Sequence, residues 1–231
     1  MLTELTNKKI VLITGGSDGL GKALATILKD TYKVIILSYH EEKLKKVAEE
    51  LGVDYVLADI SKYDEVEKAI QIVIDKYQKI DCLVNNAGVW IDGQLDEVSP
   101  EDIKRIIDTN TTGTMFVTRA TLPFMKKEKT GKIINVISQG GLIAKEDRSV
   151  YYASKWALTG FTKCLQIDLE SFNINVSGFY PGFMNTNLFD TNGSTRDVTG
   201  AMDPNDVAKT LKFIVDLPNH MTVTELGINH L

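Results

Sequence analysis

Lys9-Ile10-Val11-Leu12-Ile13-Thr14-Gly15-Gly16-Ser17-Asp18-Gly19-Leu20-Gly21-Lys22 is the stretch that decides how this chain folds. From Ile10 to Ile13 it is wholly apolar, as a strand buried on both faces should be. After Lys22, apolar residues recur every three or four positions to Lys29, which predicts an amphipathic helix. The glycines between them are spaced G-x-x-x-G-x-G, with Gly16 extra. A chain that turns sharply, brings backbone against a ligand and packs helix on strand has no room there for Cβ atoms. The amide groups and positive dipole end of the new helix then suit phosphate oxygens. Gly15, Ser17, Asp18, Gly19, Leu20 and Gly21 therefore read as a pyrophosphate cradle rather than a flexible loop.

The same alternation continues outward from this stretch. Strand-like runs at Lys9–Thr14, Val34–Leu37, Tyr55–Leu57, Cys82–Val84, Lys132–Ile137, Asn175–Tyr180 and Val223–Ile228 are separated by helical patterns. Those patterns cover Lys22–Lys29, Glu41–Leu51, Tyr63–Lys76, Ile103–Lys126, Tyr151–Phe172 and Asn205–Val215. Ser99-Pro100 and Asp203-Pro204 place a capping side chain before proline, a helix-start signal. The pattern predicts an α/β fold: a doubly wound parallel sheet of Rossmann type, about seven strands with helices on both faces, in a single domain over residues 1–231. Residues 183–202 break the alternation and read as a substrate-side loop or lid, with Leu188 and Phe189 placed to close over an apolar substrate.

Composition bounds the function classes. The chain has 231 residues, 43% hydrophobic and 25% charged, with 26 Lys+Arg against 31 Asp+Glu for a net charge of −5. No basic tract stands out, so nucleic acid is not an expected partner. Lys126, Lys127, Lys129 and Lys132 cluster, but Glu128 interrupts them, and they read as a solvated helix end. Cys82 and Cys164 read as small core residues, with no metal or disulfide framework. No run approaches the length of a membrane span, and the amino terminus has no leader pattern, so a cytoplasmic location is expected. The sequons at Asn110 and Asn192 read as chance.

A second nucleotide anchor is expected at the end of the next strand, where an acid would bind a ribose hydroxyl and a base would accept a 2′-phosphate. Leu37-Ser38-Tyr39-His40-Glu41-Glu42-Lys43 has Ser38 in the acid's place. Tyr39 stands where an arginine would help, and Asp18 would repel a phosphate. His40 or Lys43 could lend charge, and the reading leans to NADP(H) over NAD(H). Further on, Tyr151 and Lys155 lie four apart, on one face if helical. A cation beside a phenol favours the phenolate and brings its pKa toward the range useful in acid–base catalysis. Tyr152 has no lysine at that spacing and is assigned to packing.

Taken together in order, Thr14-Gly15-x-x-x-Gly19-x-Gly21, Asp59, Asn85-Asn86-Ala87-Gly88, Asn110, Ser138, Tyr151-x-x-x-Lys155 and Pro181-Gly182 resemble the short-chain dehydrogenase/reductase family. The resemblance spans nearly the whole chain. It implies a carbonyl or alcohol substrate, a nicotinamide cofactor and catalysis by Ser138, Tyr151, Lys155 and Asn110. Asp59 and Ile60 would lie near the adenine; Asn86, Ala87 and Gly88 would line the cofactor pocket while bracing the sheet. Pro181, Gly182 and Thr186 would approach the nicotinamide, and Lys155 with Tyr151 its ribose. Asn110 would kink its helix and extend a proton relay through water and Lys155. A homodimer or homotetramer is implied, paired through the two long helices. Within this reading a 3-oxoacyl thioester reductase is an alternative, although the carboxyl end lacks the Asp-Gly-Gly common in such enzymes. A dinucleotide-binding sensor without turnover is the alternative of another class, and it would have no chemical need of the Ser-Tyr-Lys-Asn set.

Overall fold

In the computed structural model, which describes residues 8–188 and 197–231, the glycine-rich stretch forms strand β1 (Ile10–Thr14) and helix α1 (Gly19–Leu28). Strand β2 (Lys33–Ser38), helix α2 (Glu41–Leu51), β3 (Asp54–Leu57) and α3 (Tyr63–Tyr77) complete the first half. The second half runs β4 (Cys82–Asn85), α4 (Pro100–Ile106), α5 (Thr114–Glu128), β5 (Gly131–Val136), α6 (Ser149–Asp168), β6 (Ile174–Pro181), α7 (Pro204–Asp216) and β7 (Glu225–Ile228). One sheet results, in the order β3-β2-β1-β4-β5-β6-β7. Every neighbouring pair is parallel, as the expected doubly wound fold requires.

Successive strand residues point to opposite faces, so each strand feeds two cores. Val11 and Ile13 join α1, α2 and α7 on one side. Ile10 and Leu12 join α3, α5 and α6 on the other. Burial on both faces is why these strands read as unbroken apolar runs. The order reverses between β1 and β4, and a crevice opens there at the carboxyl ends of the strands.

Several elements depart from expectation. Helix α1 begins at Gly19, earlier than Lys22, because the Asp18 carboxylate accepts from the Gly19 amide and starts the helix inside the glycine run. The span expected as one helix over Ile103–Lys126 begins at Pro100, capped by Ser99. It passes through a π-helical turn at Ile107–Gly113 before α5. The last strand starts at Glu225 rather than Val223 and lies at the sheet edge, partly exposed. Cys82 is buried, but Cys164 is exposed on the outer face of α6 and is no core residue. Lys132 is not solvated either: its ammonium is buried and donates to the Ile214, Val215 and Leu217 carbonyls at the end of α7. Phe189 and the Asn192 sequon fall outside the described residues. Among those described, no helix is long and apolar enough to cross a membrane.

Candidate active site

The loops leaving the strands' carboxyl ends enclose a cleft of about 1400 Å³. At one end stands the glycine turn. Gly15 has φ +65°, and a Cβ there would come within 2.9 Å of Ala87 Cα; at Gly21 it would meet the Gly15 carbonyl at 2.3 Å. Only glycine fits either place. The Asn86 and Ala87 amides both donate to Thr14 Oγ1 at 3.0 Å, and Asn86 Nδ2 donates to the Thr14 and Gly15 carbonyls. The Asn-Asn-Ala-Gly segment thus holds the turn open at the amino end of α1. Its other asparagine, Asn85, donates to Thr118 and Asn135 in the buried centre of the sheet, and Asn135 to Thr162.

The end of β2 forms the next wall. Ser17 Oγ donates to Ser38 Oγ at 3.0 Å, and both hydroxyls are buried. Asp18 was expected to repel a phosphate. Instead Lys43 faces its carboxylate at 2.5 Å, and Asn187 of the loop after β6 donates to it at 3.2 and 3.3 Å. Burial raises the Asp18 pKa, but the Lys43 and Gly19 hydrogen bonds outweigh it and hold the group low. Tyr39 is half exposed and leans on the His40 ring at 3.9 Å.

At the opposite end Ser138, Tyr151 and Lys155 converge. Ser138 follows β5 with φ 155° and ψ 161°, a conformation otherwise nearly confined to glycine that costs on the order of 1–3 kcal/mol. Its hydroxyl accepts from the Gly140 amide at 3.0 Å, and Ser138 and Tyr151 both line this end of the cleft. Tyr151 and Lys155 lie one turn apart on α6, both buried, with the ammonium 5.6 Å from the phenol ring centre. Burial pushes the Tyr151 hydroxyl up to about 12, against the lowering by Ser138. Burial alone pulls Lys155 down to about 8. The depression of the Tyr151 pKa expected from Lys155 is therefore absent in this geometry, because desolvation acts on both groups and disfavours each charge.

Residues 9–197 match the short chain dehydrogenase family. The chain belongs to that family. A 3-oxoacyl-[acyl-carrier-protein] reductase of Synechocystis sp. is 32% identical, over 99% of this chain and 97% of the relative. The solved structure of ElxO with NADP bound is 30% identical with a TM-score of 0.86, covering 96% of this chain and 97% of that one. The 3-ketoacyl-(acyl-carrier-protein) reductase of Brucella melitensis, complexed with NADH, is 29% identical with a TM-score of 0.88, covering 96% of each chain.

In this member of the family, every predicted site residue except Gly21 and Asn110 lines the cleft. Gly21 lies beneath the turn, against Gly15. Asn110 sits in the π-helical turn, where its Oδ1 accepts from the Val89 amide and its Nδ2 donates to the Val89 carbonyl and Ser154 Oγ. With those bonds made, its side chain anchors the loop after β4 to α6 rather than reaching into the cleft. Asp59 lines the cleft and accepts from the Ser61 amide and hydroxyl. Thr186 stands over Gly19, 3.2 Å from where a Cβ would be. Tyr152, assigned to packing from its sequence, packs against Gly140 and also lines the cleft. Sequence reasoning missed Trp90, Lys145, Arg148 and Asn229, which also line the cleft. An aromatic directly after Asn-Asn-Ala-Gly-Val was the one available signal, since that turn faces the ligand side of an open α/β sheet. A nicotinamide dinucleotide fits these walls: a Cβ-free turn at a helix amino terminus, then a cleft leading to a buried phenol and ammonium.

Proposed function

We propose that this dehydrogenase reduces a carbonyl, or oxidises the corresponding alcohol, with a nicotinamide dinucleotide. Ser138, Tyr151 and Lys155 act on the reacting oxygen, and Asn110 acts through the scaffold. The observation that carries the reading is that Ser138, Tyr151 and Lys155 line one end of the cleft whose other end is the glycine turn. The cofactor supplies hydride chemistry when bound. Ser138 and Tyr151 are placed to donate to a carbonyl oxygen and stabilise charge as it develops there. Tyr151, held protonated by burial, gives the proton in reduction; in oxidation it must be ionised first, with Lys155 as its nearest cation.

NADP(H) is the favoured cofactor. Ser38 leaves no carboxylate to meet a 2′-phosphate, and Lys43 neutralises Asp18, whose charge would otherwise repel one. Relatives with either NADP or NADH bound are compatible with the cleft, so the preference rests on these side chains. A homodimer or homotetramer goes with this function. The likeness to two 3-oxoacyl carrier-protein reductases makes 3-oxoacyl thioesters a substrate class to include in the test.

Purified protein mixed with NADPH or NADH and a panel of ketones, aldehydes and 3-oxoacyl thioesters should oxidise the cofactor. Tyr151→Phe should lower turnover by a factor of about 10²–10⁴ and leave cofactor binding intact. Full activity in that variant would remove Tyr151 from the chemistry. Silence of the natural chain across the panel, with cofactor bound, would favour the sensor instead.

A further inference from the structure

The segment Lys145-Glu146-Asp147-Arg148 presents its charges unequally: Lys145 and Arg148 line the cleft, whereas Glu146 and Asp147 do not. The sorting is made by the backbone. Asp147 adopts φ +56°, a left-handed turn that aspartate tolerates better than most side chains. The Gly93 amide pins the turn by donating to the Asp147 carbonyl at 2.9 Å. Arg148 emerges from this turn with its guanidinium 5.5 Å from the centre of the Trp90 ring. The other side of the contact is catalytic: Trp90 meets the Tyr151 ring edge-on, with centroids 4.4 Å apart. Guanidinium and phenol are thus held within the span of a single indole.

Arg148 has no carboxylate within ion-pair reach among the described residues, and neither does Lys145. Three of the four acids that line the same cleft, Asp18, Asp59 and Asp108, each face a lysine; the fourth, Glu101, lies at the start of α4. Besides Lys155, the cations that line the cleft with no ion pair among the described residues are Arg105, Lys145 and Arg148, in a chain whose net charge is −5, and of these Arg148 is joined through Trp90 to the phenol of Tyr151. A guanidinium laid on an aromatic ring keeps its planar edge free for bidentate bonds, the geometry that matches a carboxylate.

Resting on the dehydrogenase reading above, we infer that the substrate is a short oxo acid or its hydroxy acid. Arg148, supported by Trp90 and Lys145, takes the carboxylate while Ser138 and Tyr151 take the carbonyl oxygen. With the guanidinium 5.5 Å from the indole centre and the indole 4.4 Å from the phenol ring, the two groups stand close enough for one short acid to reach both, and 3-oxobutanoate is the probe. Arg148 is a specificity-determining residue here; it moves no proton.

The test compares 3-oxobutanoate with its methyl ester, using the full chain, its preferred cofactor and a neutral ketone as control. The natural protein should favour the acid over the ester at least tenfold in kcat/KM. Arg148→Gln should lower kcat/KM for the acid 10- to 100-fold, mainly through KM, and change that for the ester less than threefold. Arg148→Lys should recover part of the loss, and Lys145→Gln should show a smaller one. Equal use of acid and ester, or equal losses on both in Arg148→Gln, would overturn the inference while leaving the dehydrogenase intact. If no carbonyl is reduced, the dehydrogenase reading fails separately, and titration of tryptophan fluorescence with 3-oxobutanoate decides the anion site. A saturable change absent from Arg148→Gln upholds it; a flat titration overturns it.

Discussion

Burial gives Tyr151 and Lys155 protonation states that reach beyond the reaction. A phenol pushed up to about 12 stays protonated at neutral pH, the form that can donate to a carbonyl, so the resting site is set for reduction. Lys155 pulled down to about 8 makes the opposite demand on stability. An unfolded lysine holds its proton to about pH 10.5, whereas the folded one releases it near 8, so the unfolded chain binds more protons across that window. Stability from Lys155 is therefore lowest below pH 8 and rises as pH climbs toward 10.5. Above about pH 10 Tyr151 reverses the trend, because the unfolded phenol ionises first. Urea unfolding of the natural chain and Lys155→Met at pH 7 and pH 10 isolates the effect. The natural chain should gain on the variant by about 2 kcal/mol between those values, and a pH-independent gap would show that Lys155 is solvated. Tyr151 and Lys155 were legible in sequence because their pairing depends on spacing along one helix, and Ser138 through the family resemblance at the end of one strand. Arg148 was not, because in Lys145-Glu146-Asp147-Arg148 only the left-handed turn at Asp147 decides which charges face the cleft.

At the scale of elements, local pattern predicted what local forces build and missed what distant partners impose. Helix α2 runs Glu41–Leu51 as its apolar spacing requires, closed by Gly52 in the left-handed region. The π-helical turn at Ile107–Gly113 could not be read from spacing, although the family resemblance implied a kink at Asn110; it exists where Asn110 reaches across to Val89 and Ser154. Lys132 is the second such case. In sequence it closes a run of surface lysines; in the fold, the start of β5 lies under the end of α7, and the ammonium meets three terminal carbonyls at 2.7–2.8 Å. Those carbonyls lie at the negative end of the helix dipole, and the cation satisfies them while joining helix to sheet. Burial holds the Lys132 pKa below the usual lysine value. Lys132→Met keeps the apolar stem and removes the cap. It should lower unfolding free energy by on the order of 3 kcal/mol in a urea titration, and a loss below about 1 kcal/mol would mean that water caps α7 equally well.

For the whole molecule, alternating strands and helices foretold a parallel sheet but not its order. The order follows from right-handed crossovers, which carry the first three strands outward one way and the rest the other, opening the cleft between β1 and β4. The same architecture leaves one face of α6 uncovered. Ala153, Ala157, Gly160, Cys164 and Ile167 recur at helical spacing along it, Trp156 lies beside them, and all are exposed. Trp156 is 51% and Ile167 77% accessible. An apolar stripe with a small residue at its centre allows two helices to approach closely, and its exposure in a lone chain is costly enough to favour pairing. Light scattering should give a mass of two or four times 25.7 kDa. Gly160 makes the test clean, because a Cβ added there meets nothing within 4 Å in its own chain. Arginine at an exposed helix interior is also favoured over glycine by roughly 0.5–1 kcal/mol, so Gly160→Arg should fold at least as well as the natural protein. Against a partner helix it would set a charge and a long side chain where there is room for neither. The variant should therefore run as a 25.7 kDa monomer with its circular dichroism unchanged. Identical masses for variant and natural chain would place the assembly surface, if there is one, elsewhere than on α6.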